Sequence, residues 1–118
     1  MSSLAPDRGD VFFAHLEETI KSGRVQFGSR PAVIVASRVI RGTTIIIPTT
    51  TSGLRYRRLQ PSCIMVDAGV GGLTEESAIL VHALREIDVE NLPEFLGVMP
   101  AAVMAKIDDV LKEVLRLK

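Results

Sequence analysis

The sequence predicts a mainly β fold closed by a C-terminal helix, an α+β arrangement in a single domain over 1–118. Three observations predict it. Short runs rich in branched and aromatic residues recur along most of the chain, separated by Gly-, Pro- and Ser-containing segments. After Pro100 the apolar period becomes helical. The stretches between the strand candidates are too short to hold the crossover helices of a parallel sheet.

The first strand candidate is Asp10 to Leu16, where Val11, Phe12 and Phe13 supply bulk. Glu17 to Arg30 is polar, is punctuated by Gly23 and Gly28, and reads as a long loop. Pro31 to Ala36 is a second strand. Thr43 to Ile47 is a third, halted or bulged at Pro48, because proline cannot donate to an interior ladder. Ser62 to Val66 makes a fourth strand, Gly69 to Gly72 a turn, and Ile79 to Leu84, extended to Ile87, a fifth. A short turn of helix is expected around Leu92 to Leu96. Val103, Ile107, Val110, Leu111 and Val114 then recur at helical spacing, and Pro100 suits a first turn, so a helix from Pro100 to Leu117 closes the chain.

The 118 residues are 47% hydrophobic and 24% charged, which suits a folded domain with its own core and argues against wholesale disorder. Lys and Arg number 14 against 14 Asp and Glu, a balance that by itself argues against a basic nucleic-acid binder. Its distribution is uneven. Residues 1–60 carry 9 basic and 4 acidic side chains, and residues 61–118 carry 5 and 10. Such halves either meet in the fold or mark an electrostatic function. Cys63 is the single cysteine, so no disulfide framework is expected. With no long apolar run and no secretory leader visible, the expectation is a soluble cytoplasmic protein that does not engage a membrane.

Most standard sites fail. His15 and His82 lie far apart, with no carboxylate at ligand spacing, so neither a metal nor a cofactor is expected. His15 reads as structural or exposed. Gly69-Val70-Gly71-Gly72 lacks the Lys-Ser/Thr ending of a phosphate loop, and no serine has a nucleophile-elbow surround. What remains is Arg30, a planar cation suited to phosphate oxygens, and the hydroxyls of Thr49, Thr50 and Thr51 after Pro48. Against these stand ordinary β propensity for the threonines and a solvated position for the arginine.

Three segments together resemble the PemK/MazF family of toxin endoribonucleases: Arg8-Gly9-Asp10-Val11, Gly28-Ser29-Arg30-Pro31-Ala32-Val33-Ile34-Val35 and Ile46-Ile47-Pro48-Thr49-Thr50-Thr51. They occur in the family's order, and the pattern covers nearly the whole chain. The resemblance implies an SH3-like small barrel of the PemK/MazF/CcdB type with an added helix, usually a homodimer. It implies metal-independent, sequence-selective cleavage of single-stranded RNA by the toxin half of a toxin–antitoxin pair. Carried over, the catalytic residues are Arg30 and Thr50, with Thr51 as substitute if the register differs by one. The cognate antitoxin is expected to lay an acidic extended segment across the same cleft.

Such an RNA is cut by its own 2′-hydroxyl, so the protein has to position the strand, stabilise phosphorane charge and manage protons. Arg30 suits the charge, and Thr50 a non-bridging oxygen. Arginine stays protonated in proteins, so leaving-group protonation is an easier role for Arg30 than that of a base. Arg24, Arg55, Arg57, Arg58 and Arg85 are expected on RNA phosphates, and Phe27 and Tyr56 on bases.

One departure stands out. The family commonly carries an acid-Gln pair before the basic residue of the fifth strand; here His82-Ala83 precedes Arg85. Either His82 assists proton transfer or it is a satisfied structural histidine, and its apolar neighbours Leu80 and Val81 favour the second. The departure keeps two alternatives open: a non-enzymatic interaction module of the topoisomerase-binding type, and a degenerate relative that binds RNA but cuts poorly.

Overall fold

In a computed structural model, residues 5–21 and 24–117 are described, with the backbone path alone between 17 and 27. The strands are β1 (Asp10–Lys21), β2 (Arg24–Ile34), β3 (Thr43–Thr50), β4 (Cys63–Val66), β5 (Ser77–Leu80), β6 (Arg85–Asp88) and β7 (Glu94–Val98). The helices are a single turn, α1 (Leu54–Arg57), and the terminal α2 (Ala101–Leu115). All seven strands join one antiparallel sheet in the order β4-β5-β3-β2-β1-β7, with β6 added on β3.

β3 is the organising strand. One edge pairs with β2, placing Ile46 opposite Ile34, Ile47 opposite Val33 and Pro48 opposite Ala32. Its other edge is shared: Thr43 to Ile46 pair with β6, and Thr49 and Thr50 with β5. Between the two partners, that ladder is interrupted at Ile47 and Pro48. A residue without an N–H costs little there, so the strand runs through Pro48 instead of ending before it. The expected fifth strand is accordingly two strands. A 3-10 turn at Val81–Ala83 lets the chain leave one half of β3 and return along the other.

Two further expectations are corrected. Of the expected loop Glu17 to Arg30, the backbone of Glu17 to Lys21 and of Arg24 to Arg30 lies in the paired strands β1 and β2, while residues 22 and 23 fall outside the described residues. Gly28, read as punctuation, lies inside β2 at φ +108°, opposite Leu16, where the register shifts. A glycine within a strand marks such a bulge. The short helix expected around Leu92 to Leu96 is the edge strand β7, preceded by a 3-10 turn at Val89–Asn91. β7 is held by pairing with β1 and by Phe95, whose ring meets Phe12 edge-on at 5.5 Å.

The core lies on both faces of the sheet. Val11, Val33, Ile47, Ile79 and Ile107 form one cluster, and Ala14, Ala32, Ile34, Ile46 and Ile87 the other. α2 covers the first, with Ile107 fully buried and Val103, Val110 and Leu111 packed beside it. Val114, expected on the same stripe, is instead 40% exposed, near the end of the helix. The Gly69-to-Gly72 turn forms a 3-10 turn at Val70–Gly72, pressed against β7. A Cβ on Gly72 would overlap the Leu96 carbonyl, and one on Gly97 would stand 2.7 Å from the Gly71 oxygen. Glycine is needed there for close backbone approach.

Candidate active site

Arg30 lies on β2 opposite Ala14. The two-residue period puts it on the same face as Ala32 and Ile34, two and four positions on. It borders two cavities. The first, about 320 Å³, is lined by Arg30 with Ser29, Thr50, Thr51, Glu75 and Phe13 among others. The second, about 480 Å³, brings Arg30 together with Arg57, His82 and Arg85, over Leu16 and Pro48. The three guanidiniums come from β2, α1 and β6, and the lining contains one carboxylate, Glu86. That imbalance makes the second cavity attractive to anions.

The three threonines divide by position. Thr49 is buried and donates its hydroxyl to the Pro31 carbonyl at 2.8 Å. Thr50, half-buried at the end of β3, accepts the Ser52 N–H at 3.1 Å. A hydroxyl has one proton to give and two lone pairs, so Thr50 remains free to donate into the cavity. Thr51 is exposed on the same rim.

His82 is not buried with its apolar neighbours. Leu80 and Val81 are buried, but the 3-10 turn breaks strand alternation and leaves His82 exposed, with Nδ1 2.9 Å from Ser62 Oγ. Other expected contacts spread out. Arg57 Nη1 donates to Gln60 at 3.0 Å, and its guanidinium lies 5.9 Å from the Tyr56 ring centre. Arg58 is paired with Glu76 at 2.7 Å. Arg55 and Tyr56 are exposed on α1 and line neither cavity. The side chains of Arg24 and Phe27 lie outside the described residues. Glu75 and Ser62 carry no sequence signal; proximity in the fold alone reveals them. Ser29 sits in the Gly28-to-Val35 segment and is hydrogen-bonded to His15. Among the described residues, no group of three or more His, Cys, Asp or Glu is placed to hold a metal ion.

The charged halves of the chain partly meet. Both ion pairs among the described residues, Arg8–Asp108 and Arg58–Glu76, join a base from the first half to an acid from the second. Arg85, from the acidic half, joins Arg30 and Arg57 at the cavity.

Residues 7–115 match the model of the PemK-like, MazF-like toxins of type II toxin–antitoxin systems. The chain belongs to this family. The Endoribonuclease EndoA of Bacillus subtilis is 30% identical over 107 residues, covering 89% of this chain and 90% of that protein. MazF from Deinococcus radiodurans superimposes with a TM-score of 0.75 at 24% identity, over 97% of this chain and 99% of that one. A MazE–MazF structure from the same organism gives 0.74 at 23% identity, over 98% and 100%. Within the PemK/MazF pattern, the two residues the resemblance carried over, Arg30 and Thr50, stand on one cavity here.

Proposed function

We propose that this protein is the toxin endoribonuclease of a toxin–antitoxin pair, cutting single-stranded RNA without a metal ion. The observation that carries the reading is the convergence of Arg30 and Thr50 on one cavity, beside a second cavity rich in guanidinium. Arg30 donates to the non-bridging oxygens of the reacting phosphate as negative charge builds on phosphorus. The free hydroxyl proton of Thr50 takes another of these oxygens. Arg57 and Arg85 hold flanking phosphate and set the path of the strand. Attack by the 2′-hydroxyl yields a 2′,3′-cyclic phosphate and a 5′-hydroxyl.

The relatives support the partners as well. EndoA is by name an endoribonuclease, and the Deinococcus MazF has been solved with MazE. We assign to this chain one catalytic domain over 1–118, a cytoplasmic setting, a homodimeric state and an antitoxin whose acidic segment covers the arginine-lined cavity. No helix among the described residues is long and apolar enough to cross a membrane.

The test is incubation of the purified protein with long single-stranded RNA in EDTA, mapping the new 5′ ends, beside Arg30→Ala and Thr50→Ala. Cleavage by the wild type, lost in both folded variants, is the expected result. Absence of wild-type cleavage across many sequences overturns it and favours a binding module.

A further inference from the structure

With Arg30 and Thr50 committed to charge on the phosphate, the 2′-proton has no acceptor, and a donor other than Arg30 is needed for the departing oxygen. Displacement at phosphorus is in line: the 2′-oxygen enters opposite the departing 5′-oxygen. A proton acceptor and a proton donor therefore belong on opposite flanks of the phosphate. Arg30 lines both cavities; the first holds one carboxylate, Glu75, and the second holds one imidazole, His82, beside the carboxylate of Glu86.

Each has a hydrogen bond close by, on the backbone for Glu75 and on the ring for His82. The Ser77 hydroxyl donates to the Glu75 carbonyl at 2.9 Å, pinning that stretch of backbone. Of the two adjacent carboxylates, Glu76 is engaged by Arg58, while Glu75 forms no ion pair among the described residues. His82 is oriented through Nδ1 by Ser62 Oγ at 2.9 Å. As a proton donor the ring carries both hydrogens: Nδ1–H donates to Ser62 Oγ, and Nε2–H, on an exposed residue, is the one available for transfer. An oriented imidazole with one nitrogen engaged and one free is the usual arrangement for proton transfer.

We propose that Glu75 and His82 are the acid–base pair of the cleavage, Glu75 accepting the 2′-hydroxyl proton and His82 protonating the departing 5′-oxygen. The proposal rests on the endoribonuclease reading above. The O2′–P bond forms as the 2′ proton passes to the Glu75 carboxylate. The P–O5′ bond breaks as a proton passes from His82 Nε2 to O5′. Glu75 then releases its proton to water and His82 takes one up, so no proton is gained or lost overall. Ser62 is a positioning residue, acting through His82.

The test compares single-turnover cleavage of two RNAs, one natural and one with bridging sulfur in place of the scissile 5′-oxygen. Sulfur leaves as a thiolate and needs no proton. On natural RNA, Glu75→Gln and His82→Ala are each expected to slow cleavage about a hundredfold or more, the scale of a lost general acid or base. Sulfur is expected to restore His82→Ala towards the wild-type rate and to leave Glu75→Gln slow. Ser62→Ala should show a smaller loss, also relieved by sulfur. Either catalytic variant cutting natural RNA near the wild-type rate overturns the pair, and so does sulfur relieving both variants or neither. A wild type that cuts neither RNA overturns the endoribonuclease reading itself, whereas an active wild type with unaffected variants overturns the pair alone.

Discussion

Thr49 donates its hydroxyl to the carbonyl oxygen of Pro31 at 2.8 Å, one residue from both Thr50 and Arg30. The bond ties the end of β3 to β2 just beyond the backbone pairing of Pro48 with Ala32. The distance between the two proposed catalytic side chains is thereby set by a side chain that is itself buried. Thr49→Val keeps the shape and removes the donor. It is expected to cost about 1–3 kcal/mol, the range for leaving a buried partner unsatisfied. Urea denaturation measures this, and RNA cleavage should fall with it. Thr51→Val, at an exposed position, should leave stability unchanged within about 0.5 kcal/mol.

Close backbone packing predicts a second contrast. Gly72 combines φ +81° with a Cβ position that overlaps the Leu96 carbonyl. Gly69, at φ +95°, has nothing within 4 Å of its Cβ position. Gly69→Ala is expected to cost about 1–2 kcal/mol from backbone conformation alone. Gly72→Ala must also push β7 away from the turn and should cost on the order of 4 kcal/mol or more. Equal denaturation midpoints for the two variants would contradict this account.

The arginines at the second cavity predict a salt signature. If Arg57 and Arg85 each neutralise one phosphate, Arg57→Gln and Arg85→Gln each lower the slope of log affinity against log salt by about 0.7, the single-strand value per phosphate. Binding of 2′-deoxy-substituted RNA measured at several salt concentrations reads this directly. Arg38→Gln, at an exposed position lining neither cavity, serves as the control and should leave the slope unchanged.

Arg8 reaches both the Val35 carbonyl, at 3.0 Å, and the Asp108 carboxylate on α2. The ion pair spans a hundred residues but is 34% and 46% exposed, and such pairs contribute about 1 kcal/mol or less. Asp108→Asn should therefore lower stability by no more than about 1 kcal/mol. The difference should vanish in 1 M salt, where the screening length is about 3 Å. Thermal unfolding at two ionic strengths checks it. A loss of several kcal/mol that persists in high salt would assign this contact a larger part in seating α2.

How much was readable before the fold was known follows from where each signal resides. β3, β4 and α2 were legible because apolar periodicity is local: Ile47 and Ile107 announce burial through their own neighbours in sequence. Arg30 and Thr50 were legible as candidates through residue chemistry and the ordered motifs. The paired strand segments over 17–21 and 24–30 and the edge strand Glu94–Val98 were not. Gly28 imitates loop punctuation, and β7 lies on the sheet edge with little buried face to display a period.

The sequence by itself determined the fold class and the family and supplied the candidates for gripping a phosphate, because these rest on side-chain chemistry and short-range order. Only the tertiary structure decided that strand pairing carries β3 through Pro48, that a 3-10 turn exposes His82, and that Glu75 and His82 each share a cavity with Arg30. These placements depend on contacts between residues far apart in the chain, and no local pattern encodes which segments will meet. The neutral total charge is similar. Arg8 and Arg58 are matched by acids from the far half, whereas Arg30, Arg57 and Arg85 are gathered by three separate elements around one cavity.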